Sequence, residues 1–201
     1  MKRRNFIQLI ATGLILPNIT WANVANKKIL IAYYTRTQNT FIVADFIQKN
    51  IGGDLFAIQT TEEYPSHYQE TVNISKKQIE KNIQPQLKNN IDISAYEIIF
   101  IGSPIWNGHI APPVVRFMAN KPFQGKKIYP FFTHAGYGVA NAPDDIKILL
   151  GFNYHQHIGI KTNAERDNPN ILKTNQNLIQ NNQQLTAIKN IADLEKWIKN
   201  I

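Results

Sequence analysis

The sequence predicts an open, doubly wound α/β sheet of parallel strands with helices on both faces. Two observations carry this expectation. Short apolar runs alternate with amphipathic ones from Lys28 onward, an order that returns successive strands to one sheet through right-handed crossovers. All but the second of the strand candidates are also nearly continuous in apolar, β-branched or aromatic residues, as strands covered on both faces must be.

The expected strands are residues 29–34, 54–60, 97–102, 127–133 and 155–160, and together they make one five-stranded sheet. The first helix, 40–51, begins where Asn39 and Thr40 can satisfy a helix start. A polar helix is expected over 68–82, and a third, opened by Pro112 and Pro113, runs to about residue 120, since proline fits the first turn where its missing N–H is not needed. A fourth covers 144–150. The last element carries Ile188, Ile191, Leu194, Ile198 and Ile201 at spacings of three and four, one apolar stripe to lay on the sheet. Between 163 and 184, eleven of 22 residues are Asn or Gln, so this stretch is expected to bury little and to lie as a surface excursion.

The first 22 residues read as an address, not as fold. Lys2, Arg3 and Arg4 precede an apolar stretch, residues 6–16, that is shorter than the roughly 20 residues needed to cross a bilayer. Thr20-Trp21-Ala22 then offers a small residue for cleavage. The sequence RRNFI resembles a twin-arginine signal, which implies export of a folded protein to the periplasm with its cofactor loaded. Ordinary unfolded secretion and an uncleaved leader acting as a weak anchor remain open; after cleavage no stable membrane anchor is expected. Cleavage near Ala22 leaves 201 − 22 = 179 residues, a single domain at 23–201.

Composition excludes several classes. With no Cys there is no disulfide, thiolate ligand, thiol nucleophile or lipoprotein anchor, so any redox chemistry must be borrowed from a cofactor. The formal charge of +8 falls to +5 without the leader's three basic residues, 19 against 14. Its lysines are scattered in pairs instead of lining one helix among aromatics, so nucleic acid is not an expected partner. Neither G-x-S-x-G nor G-x-x-x-x-G-K-[ST] occurs. His155 and His157 stand two apart on an expected strand and could share a metal, but no third ligand is identifiable and no metal is assigned.

Ligands of open α/β sheets collect at the carboxyl ends of the strands, so the loops there are read together. After the first strand come Thr35, Arg36, Thr37, Gln38, Asn39 and Thr40, where backbone N–H groups at a helix start and short hydroxyls converge into an anion site. After the third come Ser103, Pro104, Ile105, Trp106, Asn107, Gly108 and His109. After the fourth come Thr133, His134, Ala135, Gly136, Tyr137 and Gly138. Trp106 and Tyr137 offer faces for stacking, while the glycines let amides approach polar ring edges. A planar ligand with a phosphate tail fits, and flavin mononucleotide (FMN) meets that description. His109 and His134 are candidates to donate to the flavin or a substrate; a solvent-facing role for each stands equally open.

AYYTRTQNT at 32–40, GSPIWNGHIAPP at 102–113 and THAGYG at 133–138 bring the chain close to the flavodoxin family. It resembles in particular the short flavodoxin-like proteins whose motifs read close to AYFSRTGNT and GSPIWWGHIAPP, over nearly all of 28–160. The resemblance implies a five-stranded parallel sheet in the order 2-1-3-4-5, FMN as cofactor, and electron transfer to a redox partner or a small acceptor such as a quinone. Two positions depart. Gln38 stands where the family's phosphate loop usually has glycine, at a cost of about 1 kcal/mol or more if φ is positive there, although its side chain could instead supply one more donor to the phosphate. Asn107 replaces a second tryptophan and is expected to set a polar amide beside the ring. The basic charge suits an electron-accepting flavin better than a low-potential donor. Two rival readings stay open: an anion-binding protein with weakened flavin binding, and a hydrolase using the same strand ends.

Overall fold

The computed structural model describes residues 27–119, 121–164 and 168–201. The expected leader, 1–22, lies outside the described residues.

The sheet runs β2 (Asp54–Ala57), β1 (Ile29–Tyr33), β3 (Ile98–Trp106), β5 (Lys127–His134), β6 (Ile158–Lys161), all parallel. This is the order expected for the five principal strands. Between β3 and α3 a two-residue strand, β4 (His109–Ile110), pairs antiparallel with the end of β3 and was not anticipated. The helices are α1 (Asn39–Ile51), α2 (Tyr68–Glu80), α3 (Pro112–Met118), α4 (Ala142–Leu150), α5 (Ile171–Gln180) and α6 (Ile191–Lys199).

Side chains alternate across a strand, and β1 divides its residues between two cores accordingly. Ile29, Ile31 and Tyr33 join α1, α6, Phe100 and Phe131 on one face. Leu30, Ala32 and Tyr34 join Ile99, Ile101, Phe132, Val114, Phe117 and Ile146 on the other. All of β1 is therefore buried, which explains its unbroken apolar run.

Three expectations need correction. The loop expected after 102 is largely strand: β3 continues to Trp106 because β5 pairs with it as far as Pro104↔Thr133, and the β4 hairpin holds the remainder. The fifth strand begins at Ile158, so His155 and His157 precede it; their rings pack at a tilt on Tyr129 and Phe132, and His157 Nδ1 lies 2.9 Å from the Tyr154 hydroxyl. Among the described residues no group of three or more His, Cys, Asp or Glu could hold a metal ion.

The Asn/Gln-rich stretch is the third. Its residues 165–167 lie outside the described residues, but the remainder contains α5 and a 3-10 turn, Gln184–Ala187. Ile171, Asn175, Leu178 and Ile179 recur at spacings of four, three and one, an amphipathic pattern with an amide in place of one apolar residue. Asn175 is fully buried because a polar partner awaits it, described below. Composition alone hid that helix.

Close packing of the central strands turns on one glycine. A Cβ on Gly102 would lie 2.2 Å from Phe131 Cζ, and both residues sit in the middle of the sheet. Gly102→Ala must displace a fully buried ring and should cost about 1–3 kcal/mol of stability. Urea unfolding is the check; an unchanged midpoint would show that the ring yields freely.

Candidate functional site

At the carboxyl ends of β1, β3 and β5 the surface opens into a cavity of about 370 Å³. Its first wall is the β1–α1 turn. The chain leaves β1 with the Tyr34 N–H donating to Gly102 O at 3.0 Å, and enters α1 through Gln38, whose φ of 66° is left-handed. No side chain caps α1. Consequently the backbone N–H groups of Thr35, Thr37, Gln38, Asn39 and Thr40 donate to no acceptor among the described residues. Such groups carry the positive end of the helix dipole, and five within one turn form an anion cradle.

Thr35, Arg36, Thr37, Asn39 and Thr40 line the cavity; Gln38 supplies the turn from behind. The Thr40 hydroxyl lies 2.8 Å from that of Thr133 at the end of β5, both buried, which locks the first wall to the third. Arg36 Nη1 donates to Pro65 O at 3.1 Å and Ser66 O at 3.3 Å, tying the cradle to the segment before α2.

The second wall is the β3–β4 hairpin. Pro104, Ile105, Trp106, Asn107 and Gly108 line the cavity, whereas Ser103 is fully buried behind it: its hydroxyl donates to Pro104 O and accepts from the Ala111 N–H, each at 2.9 Å. Asn107 and Gly108 have φ of 50° and 83°, the positive pair that a type I′ two-residue turn requires. Asn-Gly is therefore here a hairpin signal, a meaning that the family comparison of position 107 concealed. Nor does the Asn107 amide turn to the cavity centre; it donates to Ser75 Oγ at 2.8 Å and Val72 O at 3.3 Å, pinning α2 to the hairpin. Trp106 packs edgewise on Tyr34 and Tyr64, at 5.5 and 4.8 Å between ring centroids.

The third wall follows β5. Thr133, His134, Tyr137 and Gly138 line the cavity, Tyr137 being 77% exposed, while Gly136 does not reach it. His134 Nδ1 accepts from the N–H groups of Gly136 at 3.1 Å and Gly138 at 3.3 Å, so the loop is folded around the ring. Burial, and then the nearby Lys161, lower its pKa from the usual 6.5, which favours the neutral form that this pattern needs. His109 stands elsewhere: it pairs through Nδ1 with Asp145 at 3.0 Å and lines a separate groove with α4.

Sequence reasoning missed a fourth wall. Tyr68, Thr71, Val72 and Ser75 present one face of α2 to the cavity, and Thr162 and Asn163 close it from beyond β6. The spacing 68, 71, 72, 75 is a helical stripe, visible in the sequence, but its mixed polarity gave no sign that it faced a ligand.

Comparisons with known proteins agree with this architecture. The flavodoxin family model matches residues 28–159. Among solved structures, a candidate flavoprotein from Bacteroides eggerthii is 24% identical with a TM-score of 0.61, covering 77% of this chain and 99% of its own. A flavoprotein from Lactobacillus acidophilus NCFM, solved in complex with FMN, is 27% identical with a TM-score of 0.59 and coverage of 70% and 97%. The apo form of a flavoprotein from the same organism, solved by NMR, is 26% identical with a TM-score of 0.50, covering 71% and 97%. No curated protein matches. With the family model spanning most of its length and the sheet order in agreement, the chain belongs to the flavodoxin family.

Proposed function

We propose that this chain is an FMN-binding redox protein that exchanges electrons with a small acceptor such as a quinone, or with a redox partner. The observation that carries the reading is the row of unpaired N–H groups at the start of α1, which opens into a cavity flanked by Trp106 and Tyr137. An FMN-bound relative supports FMN as the cofactor. The donor set fits a phosphate tail: the amides of Thr35, Thr37 and Thr40 and the hydroxyls of Thr35 and Thr37 would hold it, with Asn39 shaping the loop. Trp106 and Tyr137 would cover the ring, and the Gly108 backbone would approach its polar edge. When bound, the flavin supplies one- and two-electron chemistry that no side chain here can provide. The protein's part is to bind, to orient and to set the local field.

Gln38 does not weigh against this. Its left-handed φ of 66° is present in a loop already assembled, so the strain of about 1–2 kcal/mol is borne by folding and not by ligand uptake.

Thr35 has its N–H unpaired in the cradle, and its hydroxyl donates to no acceptor among the described residues. Replacing it with Ala should weaken FMN binding by about 1.5–3 kcal/mol, the worth of one hydrogen bond to a charged group. Fluorescence titration measures this directly. Equal affinity for parent and variant would place the phosphate elsewhere.

The field also bears on direction. Among the described residues lining the cavity no carboxylate occurs, and the chain without its leader carries a formal charge of +5. One unit charge about 10 Å away at an effective dielectric of about 20 is worth roughly 1.7 kcal/mol, or about 70 mV for one electron before screening. The bound flavin should thus be reduced more readily than in an acidic flavodoxin, which suits an accepting role. Spectroelectrochemistry of the two side by side is the test, and matching potentials would remove the charge argument.

Export completes the reading: the basic, apolar and small-residue segments of 1–22 favour delivery to the periplasm, with Arg3 and Arg4 selecting a route for folded protein. Cell fractionation should find the parent in the periplasm and the double Lys variant in the cytoplasm. A parent that stays cytoplasmic would refute export.

A further inference from the structure

We infer that Asn175, on α5, is the positioning residue that holds the phosphate loop in its binding geometry; this rests on the FMN reading above. Three observations converge on it. The side chain is fully buried, yet its amide lies in no apolar pocket: Nδ2 donates to Thr37 O at 2.7 Å and to Asn39 Oδ1 at 2.8 Å. Asn39 in turn donates through its own Nδ2 to Asn163 O at 3.0 Å, so the loop is gripped from two places beyond β6. Both grips lie past residue 159, where the match to the family model ends.

The mechanism follows from peptide geometry. Thr37 C=O and Gln38 N–H share one plane and point oppositely across a trans bond. Fixing the carbonyl on Asn175 therefore aims the Gln38 N–H away from α5, and holds the φ of 66° that a non-glycine residue resists. Glycine at this position would adopt the turn without such help. Here the turn begins a helix with no side-chain cap, and the Asn175 amide is the side-chain donor to the Thr37 carbonyl among the described residues. Burial of an amide at the apolar-stripe position of α5 makes sense only because the loop supplies its acceptors. The one cost is visible: Asn175 Oδ1 has no hydrogen-bond partner.

The test compares FMN with riboflavin, which has the same ring and ribityl chain but no phosphate. Both are titrated against the full-length protein, its Asn175→Ala variant and its Asn175→Ser variant, whose hydroxyl is one bond too short to bridge both acceptors. Circular dichroism confirms that each variant is folded, and the serine form stands in if the alanine form is not. The parent should prefer FMN, and either variant should lose about tenfold or more of that preference while riboflavin affinity stays within about twofold. A parallel loss for both ligands would mean that Asn175 only supports the fold. An unchanged preference would mean that the loop holds its shape unaided, and either result overturns the inference. A parent that binds neither flavin, or binds both equally, would instead bring down the FMN reading on which it rests.

Discussion

Parallel pairing of β1, β3 and β5 is the constraint on which the rest depends. Parallel neighbours send their chains out at the same edge, so three unrelated turns must share one small region of surface. The sheet is closely packed: β1 is buried throughout and Gly102 lets Phe131 sit against β3. Short polar links then fasten the turns to one another: Tyr34 N–H to Gly102 O, and Thr40 to Thr133 across the gap. Without the sheet those links would have nothing to align them.

The same geometry explains why the cradle is not self-satisfied. A helix normally receives a cap from the residue before it, yet Gln38 caps nothing. Polar side chains that could have done so are engaged elsewhere: Asn39 with Asn163 and Asn175, Thr40 with Thr133. Buried interactions thus hold the walls while the N–H groups stay turned to the cavity. Stability and binding draw on different atoms of the same residues.

Much of this was legible in the sequence because the signals were local. Strand β1 announces itself by an unbroken apolar run, α3 by paired prolines, and the cradle by hydroxyls between a strand and a helix. What stayed hidden depended on distant partners. Ser103 resembles a site residue until Ala111 and Pro104 are seen to occupy its hydroxyl, and His109 until Asp145 does the same. Asn175 looked like solvent-facing composition because its acceptors lie more than a hundred residues away in sequence. Asn107-Gly108 is a local signal for a hairpin turn, and only the bonds from Asn107 to Ser75 and Val72 show that its amide serves α2 and not the ring.

The loop wrapped around His134 has a consequence for protons. Of the side chains that ordinarily titrate near neutrality, this imidazole alone touches the cavity among the described residues, and its Nδ1 already accepts two backbone N–H groups. Its other nitrogen faces β6, 3.4 Å from where a side chain on Gly159 would begin. Nδ1 is thus committed to the backbone, and among the described residues no carboxylate lines the cavity. Under the redox reading proposed above, the hydrogen ions that accompany electrons to a bound flavin would come from water or from the one remaining nitrogen of this ring.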